Sequence, residues 1–240
     1  MIVSIHQPHF LPWMGYFNKI LNSDAFVVLN TVQYRTRYYQ NRAKVRRQET
    51  WQWVSIPVRF NRTTRIDEVT VADDGWREYA CRTIEYTYHK TPHFDACWPL
   101  IRESLLQPET TLDDVNYNLL LVLLDMLDIH VPVQRANRMP VETLDPTDRL
   151  VELSKCLGAT HYISGRGGRD YMRVEAFEQA GIEIIYQDLD FNTITYPQQG
   201  KEFLPGLSII DAVFNVGPEK TRQMTEQAWS PSGNKGSING

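Results

Sequence analysis

The sequence predicts an α/β protein whose core is a parallel sheet flanked by helices. Short apolar runs typical of buried strands stand at 2–5, 25–29 and 182–187. In both halves of the chain such runs alternate with segments whose apolar residues recur at helical spacing, and this alternation favours parallel pairing. We therefore expect a single α/β domain over residues 1–228, with a Rossmann-like parallel sheet as its core.

The N-terminal segment predicts a strand, a loop, a helix and a second strand. The strand at 2–5 runs into the loop HQPHFLP at 6–12, and a helix over 13–21 precedes the strand at 25–29. Two parallel strands joined by a helix form a βαβ unit with a right-handed crossover. The loop then lies at the carboxyl edge of the sheet, where open α/β sheets bind ligands.

The middle of the chain predicts an insertion into this body. The segments WQWVSIPV at 51–58 and IDEVTV at 66–71 flank the polar turn NRTTR, which indicates an inserted β-hairpin or meander. A helical subdomain is predicted over about 74–128. It comprises three helices, at 76–88, 92–106 and 112–127.

The second half predicts a β-α-β-α-β run over 130–187. Asp145 is placed to open one helix and Gly158 to close it, whereas Asp170 and Gly181 are expected to bound the next helix. On the first of these helices Cys156 is expected to be a buried hydrophobe. Parallel pairing again accounts for this alternation most simply.

Composition and charge exclude several classes of protein. With 25 Lys+Arg against 29 Asp+Glu the net charge is -4, which disfavours binding to duplex nucleic acid. The three cysteines have no spacing typical of disulfides or zinc, so a reducing, cytoplasmic location is expected. No export signal or membrane span is predicted, the tail at 229–240 is expected to be disordered, and the oligomeric state stays open.

The first loop carries groups suited to acid–base chemistry. Neutral imidazole can accept a proton near pH 7, and two prolines stiffen the loop. A metal site is not predicted, because no third ligand stands at a recognisable spacing. The alternative is a structural loop that packs Phe10 and Trp13. The candidate site residues in this loop and the helix after it are His6, Gln7, His9 and Tyr16.

The turn ISGRGGRDY at 163–171 is a candidate anion site. Three glycines between a strand and a helix bring backbone N–H groups toward one point, and Arg166 and Arg169 can add charge-assisted hydrogen bonds. The spacing matches neither the dinucleotide fingerprint nor the P-loop. The alternative is a tight turn in which Asp170 only caps a helix.

The segment at 31–47 is a local basic patch interleaved with tyrosines. It carries six basic residues and no acidic one. Basic and aromatic side chains together bind phosphates and stack on bases, so a nucleotide or a phosphorylated small molecule is the expected ligand. A solvated strand face is the alternative.

Asp211 and Asn215 lie four residues apart on a predicted helix. They are placed to orient a substrate amine or hydroxyl. The alternative is that Ser208 and Asp211 form a capping box that serves only the helix end.

Several of these motifs, in this order, resemble the WbqC-like family over about residues 2–222. This family occurs in bacterial surface-polysaccharide (O-antigen) pathways, and the resemblance implies transfer of glycine or another aminoacyl group to an amino sugar. The segments that carry the resemblance are IHQPHFLPWMGYFNKILNSDAFVVLNTVQY at 5–34, QNR at 40–42, YHKTPHF at 88–94, YISGRGGRDY at 162–171 and YPQQGKEFLPGLSIIDAVFNVGP at 196–218.

The resemblance also implies a set of site residues. From the chemistry of acyl transfer to an amine we further hypothesise that His6 is the general base or a substrate-orienting group, that Asn41 and Arg42 donate to the acyl oxygen or to a donor phosphate, and that the turn at 164–169 holds the anion. Arg166 departs from the family pattern, where a proline is expected. The further positions that match the family motifs are Gln7, Pro8, Gly15, Tyr16, Gln40, Ser164, Gly165, Gly168, Tyr171, Asp211 and Asn215.

Two other functions remain open from the sequence. A strand followed by a loop with histidine and proline also resembles nucleotidylyltransferases and adenylate-forming enzymes, although their HxGH spacing is absent. The second of these alternatives is a non-catalytic protein that binds a sugar nucleotide in the same pathway. ATP or a nucleotide-linked substrate therefore stays open as a ligand, alongside an aminoacyl donor.

Overall fold

The computed structural model describes residues 1–72, 75–190 and 194–231. The strands are β1 (Ile2–His6), β2 (Ala25–Val28), β3 (Arg42–Arg47), β4 (Thr50–Ser55), β5 (Val58–Arg59), β6 (Thr70–Val71), β7 (Val133–Arg135), β8 (His161–Gly165) and β9 (Glu183–Gln187). The helices are α1 (Met14–Leu21), α2 (Trp76–Tyr88), α3 (Phe94–Leu105), α4 (Leu112–Met126), α5 (Pro146–Cys156), α6 (Val174–Gln179), α7 (Ile209–Val216) and α8 (Pro218–Gln227).

Five strands form one parallel sheet in the order β7-β2-β1-β8-β9, which confirms the predicted α/β core. The central strand β1 is buried on both faces, as its unbroken apolar run predicts. The strands β2 and β7 lie on one side of β1, whereas β8 and β9 lie on the other. The winding therefore reverses between β1 and β8, and the carboxyl ends of these two strands, at His6 and Gly165, flank the point where such sheets bind ligands.

The predicted hairpin between 51–58 and 66–71 forms only in part, where Val58 pairs antiparallel with Val71. Strand β4 pairs antiparallel with β3, from Arg42 opposite Ser55 to Arg47 opposite Thr50. Of the segment predicted at 66–71, Ile66–Glu68 forms a short 3-10 turn, and the remainder contributes β6, which pairs with β5. The basic segment makes a strand because Ala43 and Val45 are buried beneath its charged residues.

The helices α2, α3 and α4 lie within two residues of their predicted bounds. Their apolar faces share one core with α1, α7 and the β3–β4 hairpin, and this core also contains Phe26 and Val28 of β2. A second core lies among the sheet, α5 and α6. The Asp145 cap is confirmed, since its carboxylate accepts from the N–H groups of Thr147 and Asp148 at 2.9 Å each.

Two local predictions in the second half are wrong. Residues 166–170 form a 3-10 helix and α6 begins only at Val174, so Asp170 does not cap it. The side chain of Cys156 is exposed, because it lies on the last turn of α5, away from the core. The predicted disordered tail lies outside the described residues from 232 onward. No helix in the described part of the chain has the length and apolar character needed to cross a membrane.

Candidate functional site

Three aromatic side chains and a lysine meet at the carboxyl ends of β1 and β8. The ring centroid of His6 lies 4.7 Å from that of His9 and 4.9 Å from that of Tyr16. The Lys19 ammonium group lies 3.5 Å from the point where a β-carbon on Gly165 would stand. We call His6, His9, Tyr16 and Lys19 the imidazole–lysine cluster.

The local sequence places each member of this cluster. His6 is the last residue of β1, and the loop that follows carries His9 back over the sheet edge. Tyr16 and Lys19 stand three residues apart on α1 and therefore share a face of the helix. The absence of a side chain at Gly15 lets the ring of Trp13 lie against this first turn, since a β-carbon there would be 1.8 Å from the indole.

Burial controls the charge of the cluster. The pKa of His6 is well below its ordinary value because the ring is desolvated and lies near the charges of Lys19 and His9. Desolvation and Lys19 lower the pKa of His9 to about 3. Desolvation lowers the pKa of Lys19 to about 8, so part of this amine is neutral near pH 7.

The tautomer of His6 follows from its hydrogen bond. Its Nδ1 lies 2.9 Å from the carbonyl oxygen of Gln7, and because a carbonyl only accepts, Nδ1 carries the proton. The Nε2 atom of the neutral ring is then a hydrogen-bond acceptor.

Several buried polar atoms of the cluster have no partner in the described part of the chain. They are both ring nitrogens of His9 and the hydroxyl of Tyr16, in side chains that are 5% and 2% exposed. Desolvation also raises the pKa of Tyr16, so its hydroxyl stays protonated and can donate. Buried polar groups normally have partners, so these atoms indicate a place for a ligand or water.

A cleft of about 200 Å³, its open mouth included, adjoins the cluster at His9. The hydroxyl of Ser208, which also lines it, is buried and has no partner among the described residues. A larger cleft of about 360 Å³ has a mainly apolar lining and lies beside Tyr196 and Phe203. We take the smaller cleft as the candidate site because the orphaned imidazole of His9 borders it.

The basic segment packs directly on the first loop. The amide nitrogen of Gln40 donates to the side-chain oxygen of Gln7 at 2.7 Å, and the backbone N–H of Phe10 donates to the carbonyl of Tyr39 at 3.0 Å. The rings of Tyr38 and Tyr39 lie 6.0 and 5.5 Å from that of His9. Two of the predicted site segments therefore form one surface.

Asn41 and Arg42 are held by the hairpin. The Asn41 amide donates to the carbonyl oxygen of Ile56 at 2.8 Å. The guanidinium of Arg42 lies 4.1 Å from the ring centre of Trp53 and donates to the carbonyl of Arg37. These contacts occupy the amide of Asn41, and a catalytic role for either residue stays a prediction.

The glycine-rich turn packs tightly against its own strand. The Ser164 hydroxyl donates to the Gly165 carbonyl at 3.1 Å, and a β-carbon on Gly168 would lie 2.0 Å from that hydroxyl. Arg166 pairs with Asp188 at 2.6 Å, and Arg169 lies 4.5 Å from the ring centre of Tyr186. Both arginines thus have partners within the fold, and the anion-binding role of the turn stays a prediction.

Tyr171 links this turn to the basic segment. Partial desolvation raises the pKa of its hydroxyl, the nearby guanidinium of Arg35 lowers it, and Tyr38 raises it further. Tyr171 is therefore near enough to the basic segment for the charge of Arg35 to act on it, and Gly165 at the start of the turn lies beside Lys19.

Asp211 belongs to a separate buried network. Its carboxylate accepts from the hydroxyls of Tyr88 and Tyr196 and from the Gln198 amide, each at 2.9 Å. Burial raises its pKa, although these hydrogen bonds oppose the change. Ser208 makes no side-chain cap, so the capping-box alternative is wrong. Asn215 donates to the Asp211 carbonyl, and neither residue contacts the imidazole–lysine cluster within the described residues.

Sequence reasoning missed Lys19 and a second group at the same edge. Asp113 is buried, accepts from Asn30 at 2.8 Å and pairs with Arg135 at 3.3 Å, beyond the ends of β2 and β7. Its charge contributes to the raised pKa of Tyr16. The three-residue spacing from Tyr16 to Lys19, which places both on one face of α1, was the sequence signal that could have identified Lys19. The described residues hold no group of three or more histidine, cysteine or acidic side chains suited to a metal.

Comparison with known proteins agrees with the motifs. The sequence model of the WbqC-like protein family matches residues 7–223. The chain is 32% identical over 224 residues to the uncharacterized protein Rv1507c of Mycobacterium tuberculosis. The matched region covers 90% of this chain and 94% of that protein. No solved structure gives a significant match. Because the family model spans nearly the whole chain, this protein belongs to the WbqC-like family.

Proposed function

We propose that this protein transfers an acyl or aminoacyl group, such as glycyl, to the amine of an amino sugar or of a nucleotide-activated sugar in surface-polysaccharide (O-antigen) biosynthesis. The observation that carries the proposal is the buried Lys19 amine, which titrates near neutral pH beside two neutral imidazoles at the sheet edge. Perturbed titratable groups at a cleft are typical of reacting centres, and His9 is the cluster residue that lines the smaller cleft. Membership of the WbqC-like family supports the pathway.

The roles follow from the protonation states. As the acceptor amine bonds to the acyl carbon, the bond to the leaving group breaks and the nitrogen must lose a proton. The neutral Lys19 amine accepts that proton, because its pKa of about 8 matches neutral conditions, whereas burial holds the pKa of His6 well below its ordinary value and lowers that of His9 to about 3. In this proposal His6 has the orienting role, and its Nε2, the acceptor atom of the neutral ring, accepts a hydrogen bond from the amine.

Tyr16 supplies the group that stabilises the oxyanion. Its hydroxyl is buried, stays protonated and lacks a partner in the described part of the chain. A fixed donor aimed at the acyl oxygen stabilises the charge that develops as the tetrahedral intermediate forms. The leaving group departs with the bonding electron pair.

The test is a transfer assay read by mass spectrometry. Glycyl thioester and glycyl adenylate are offered as donors with UDP-linked amino sugars as acceptors. Lys19→Met should lower kcat/KM by about 10²- to 10⁴-fold, the usual contribution of a general base. The matched control is Lys155→Met, on the exposed side of α5, which should keep the wild-type rate. A wild-type rate in Lys19→Met would show that Lys19 is not the general base.

The pH profile separates a base from a structural cation. Since Lys19 acts in its neutral form, kcat/KM should rise with pH and level off above about 8. Lys19→Arg keeps the positive charge but cannot accept a proton, so its kcat/KM should be far below that of the wild type at every pH. A profile that falls through pH 8 would show that the ammonium form is the active one.

The same preparation tests the two alternative functions. Exchange of pyrophosphate into ATP that depends on an amino acid would indicate an adenylate-forming enzyme. Ligand-induced stabilisation without turnover of any donor would indicate a binding protein. Either result would replace the transferase proposal.

A further inference from the structure

The basic segment keeps cations without acidic partners. Arg35, Arg37, Arg42 and Lys44 form no ion pair with any residue that the structure describes. The protein as a whole carries a net charge of -4, so this local excess is not a consequence of composition. A cluster of unpaired cations beside a cleft attracts anionic ligands.

Two of these cations, Arg42 and Lys44, stand on one face of the hairpin together with two indoles. Residues at alternate positions of β3 and β4 point to the same side, which places Arg42 and Lys44 with Trp51 and Trp53. The Lys44 ammonium lies 4.4 Å from the ring centre of Trp51 and 5.6 Å from that of Trp53. Trp51 is 39% exposed, which leaves part of its ring open to a ligand. We call these four residues the cation–indole face.

The loop before β3 is held in a fixed shape next to this face. The Gln40 side-chain oxygen accepts from the backbone N–H of Arg35 at 2.9 Å, and Arg42 donates to the carbonyl of Arg37. Arg37 has a positive φ of 60°, so the loop turns sharply there. Arg35 and Arg37 are thereby presented on the exposed side of the same segment.

The cation–indole face continues into the imidazole–lysine cluster. The ring of Tyr39 lies 5.7 Å from that of Trp53 and 5.5 Å from that of His9. Lys44 of this face, Tyr39 and His9 all line the same cleft, so a ligand on the hairpin is next to the cluster. The glycine-rich turn offers less for an anion, because Arg166 is already paired with Asp188.

We propose that the cation–indole face, with Arg35 and Arg37, binds the nucleoside diphosphate of a nucleotide-activated sugar. Trp51 stacks on the base, Lys44 and the arginines bind the two phosphates, and the sugar extends past Tyr39 toward His9. The proposal rests on the transferase function, since it names the activated acceptor of that same site. It moves the anion site from the glycine-rich turn to the hairpin.

A nucleotide fits these residues better than a longer nucleic acid. Stacking on an indole is tolerant of the base, and a few fixed cations match the charge of a diphosphate. A nucleic acid needs a continuous positively charged surface. This chain is acidic overall, and its local excess of basic residues lies at 31–47.

Titration calorimetry of the full chain with UDP tests the assignment. Lys44→Met and Trp51→Ala should each weaken UDP binding about tenfold, the usual effect of losing one charge-assisted hydrogen bond or one stacked base. Arg166→Gln is the matched control for the rival site and should bind UDP as the wild type does. Equal thermal midpoints of the variants would show that all of them fold.

Other outcomes would overturn the proposal. Weaker UDP binding in Arg166→Gln alone would show that the anion site is the glycine-rich turn and not the hairpin. If pyrophosphate binds as tightly as UDP, the nucleobase contributes nothing to binding and the stacking on Trp51 is wrong. If a short single-stranded RNA binds more tightly than UDP, the face is a nucleic-acid surface. No detectable binding of UDP, ADP, GDP or CDP would also refute it. UDP binding that persists without any acyl transfer would refute the transferase and leave the nucleotide site standing.

Discussion

Replacement of Lys19 with methionine should stabilise the fold while it removes the proposed activity. Lys19 is 3% exposed, and desolvation lowers its pKa from 10.5 to about 8. A decrease of this size means that burial disfavours the charged amine by roughly 3 kcal/mol. Methionine has a similar length and no charge, so Lys19→Met should gain up to about 3 kcal/mol of unfolding free energy at pH 7.

The gain should depend on pH in a defined direction. Between about pH 8 and 10.5 the unfolded chain keeps the proton that the folded protein has released, so wild-type stability rises with pH over this window. The difference between Lys19→Met and the wild type should therefore shrink by about 1 kcal/mol from pH 7 to pH 9. Other titrating groups are common to both proteins and cancel in the comparison.

Urea unfolding of both proteins at pH 7 and pH 9 measures these differences. Lys155→Met, at an exposed position, should change the free energy of unfolding by less than about 0.5 kcal/mol at either pH. A loss of stability in Lys19→Met at pH 7 would refute the reasoning. It would mean that partners in the fold compensate the Lys19 charge, as they do for a structural lysine.

Two further predictions concern the surroundings of the site. Gly168→Ala places a β-carbon 2.0 Å from the Ser164 hydroxyl and should cost about 1–3 kcal/mol of stability, whereas Gly167→Ala meets nothing within 4 Å and should cost much less. Urea unfolding of the pair checks this, and equal stabilities would contradict the packing. Tyr196→Phe removes one of the donors to the buried Asp211 carboxylate and should cost about 1 kcal/mol by the same method. An unchanged stability would show that the hydrogen bond contributes nothing.

Local signals predicted the parts of the fold that depend on neighbouring residues. The apolar run of β1 and the helical spacing of α1 each lie within about ten residues, and the Asp145 cap needs only the first turn of α5. Strand β4 was assigned the wrong partner, although Val58 pairs with Val71 as predicted, because the choice of strand partner depends on burial. The charges of β3 hide the two buried residues that fix its position, Ala43 and Val45.

The candidate site was predictable only in part. The sequence singled out the first loop because histidines and prolines stand out after a strand. Lys19 did not stand out, since Asn18 and Lys19 resemble the solvated face of an amphipathic helix. Their burial comes from distant segments, such as the end of α8 and the residues after it, where the carbonyls of Thr225 and Trp229 accept from Asn18. Contacts over two hundred residues leave no periodic signal in the sequence.

The contacts of Asp211 could not be read from spacing either. Its position four residues before Asn215 suggested a shared substrate, but Tyr88 and Gln198 reach it from elsewhere in the chain. The same holds for Arg166 and Asp188, which only the fold brings together. A charged residue in a motif becomes a candidate for binding only after its partners are known.

The most direct measurement is the titration of the Lys19 amine by nuclear magnetic resonance, with lysine labelled at Nζ and Lys19→Arg used for assignment. The proposed chemistry requires one amine that titrates near pH 8 and is absent from the spectra of that variant. A Lys19 amine that titrates with the ordinary lysine pKa of 10.5 would contradict the account, because such an amine stays protonated at neutral pH and cannot accept the proton of the acceptor amine.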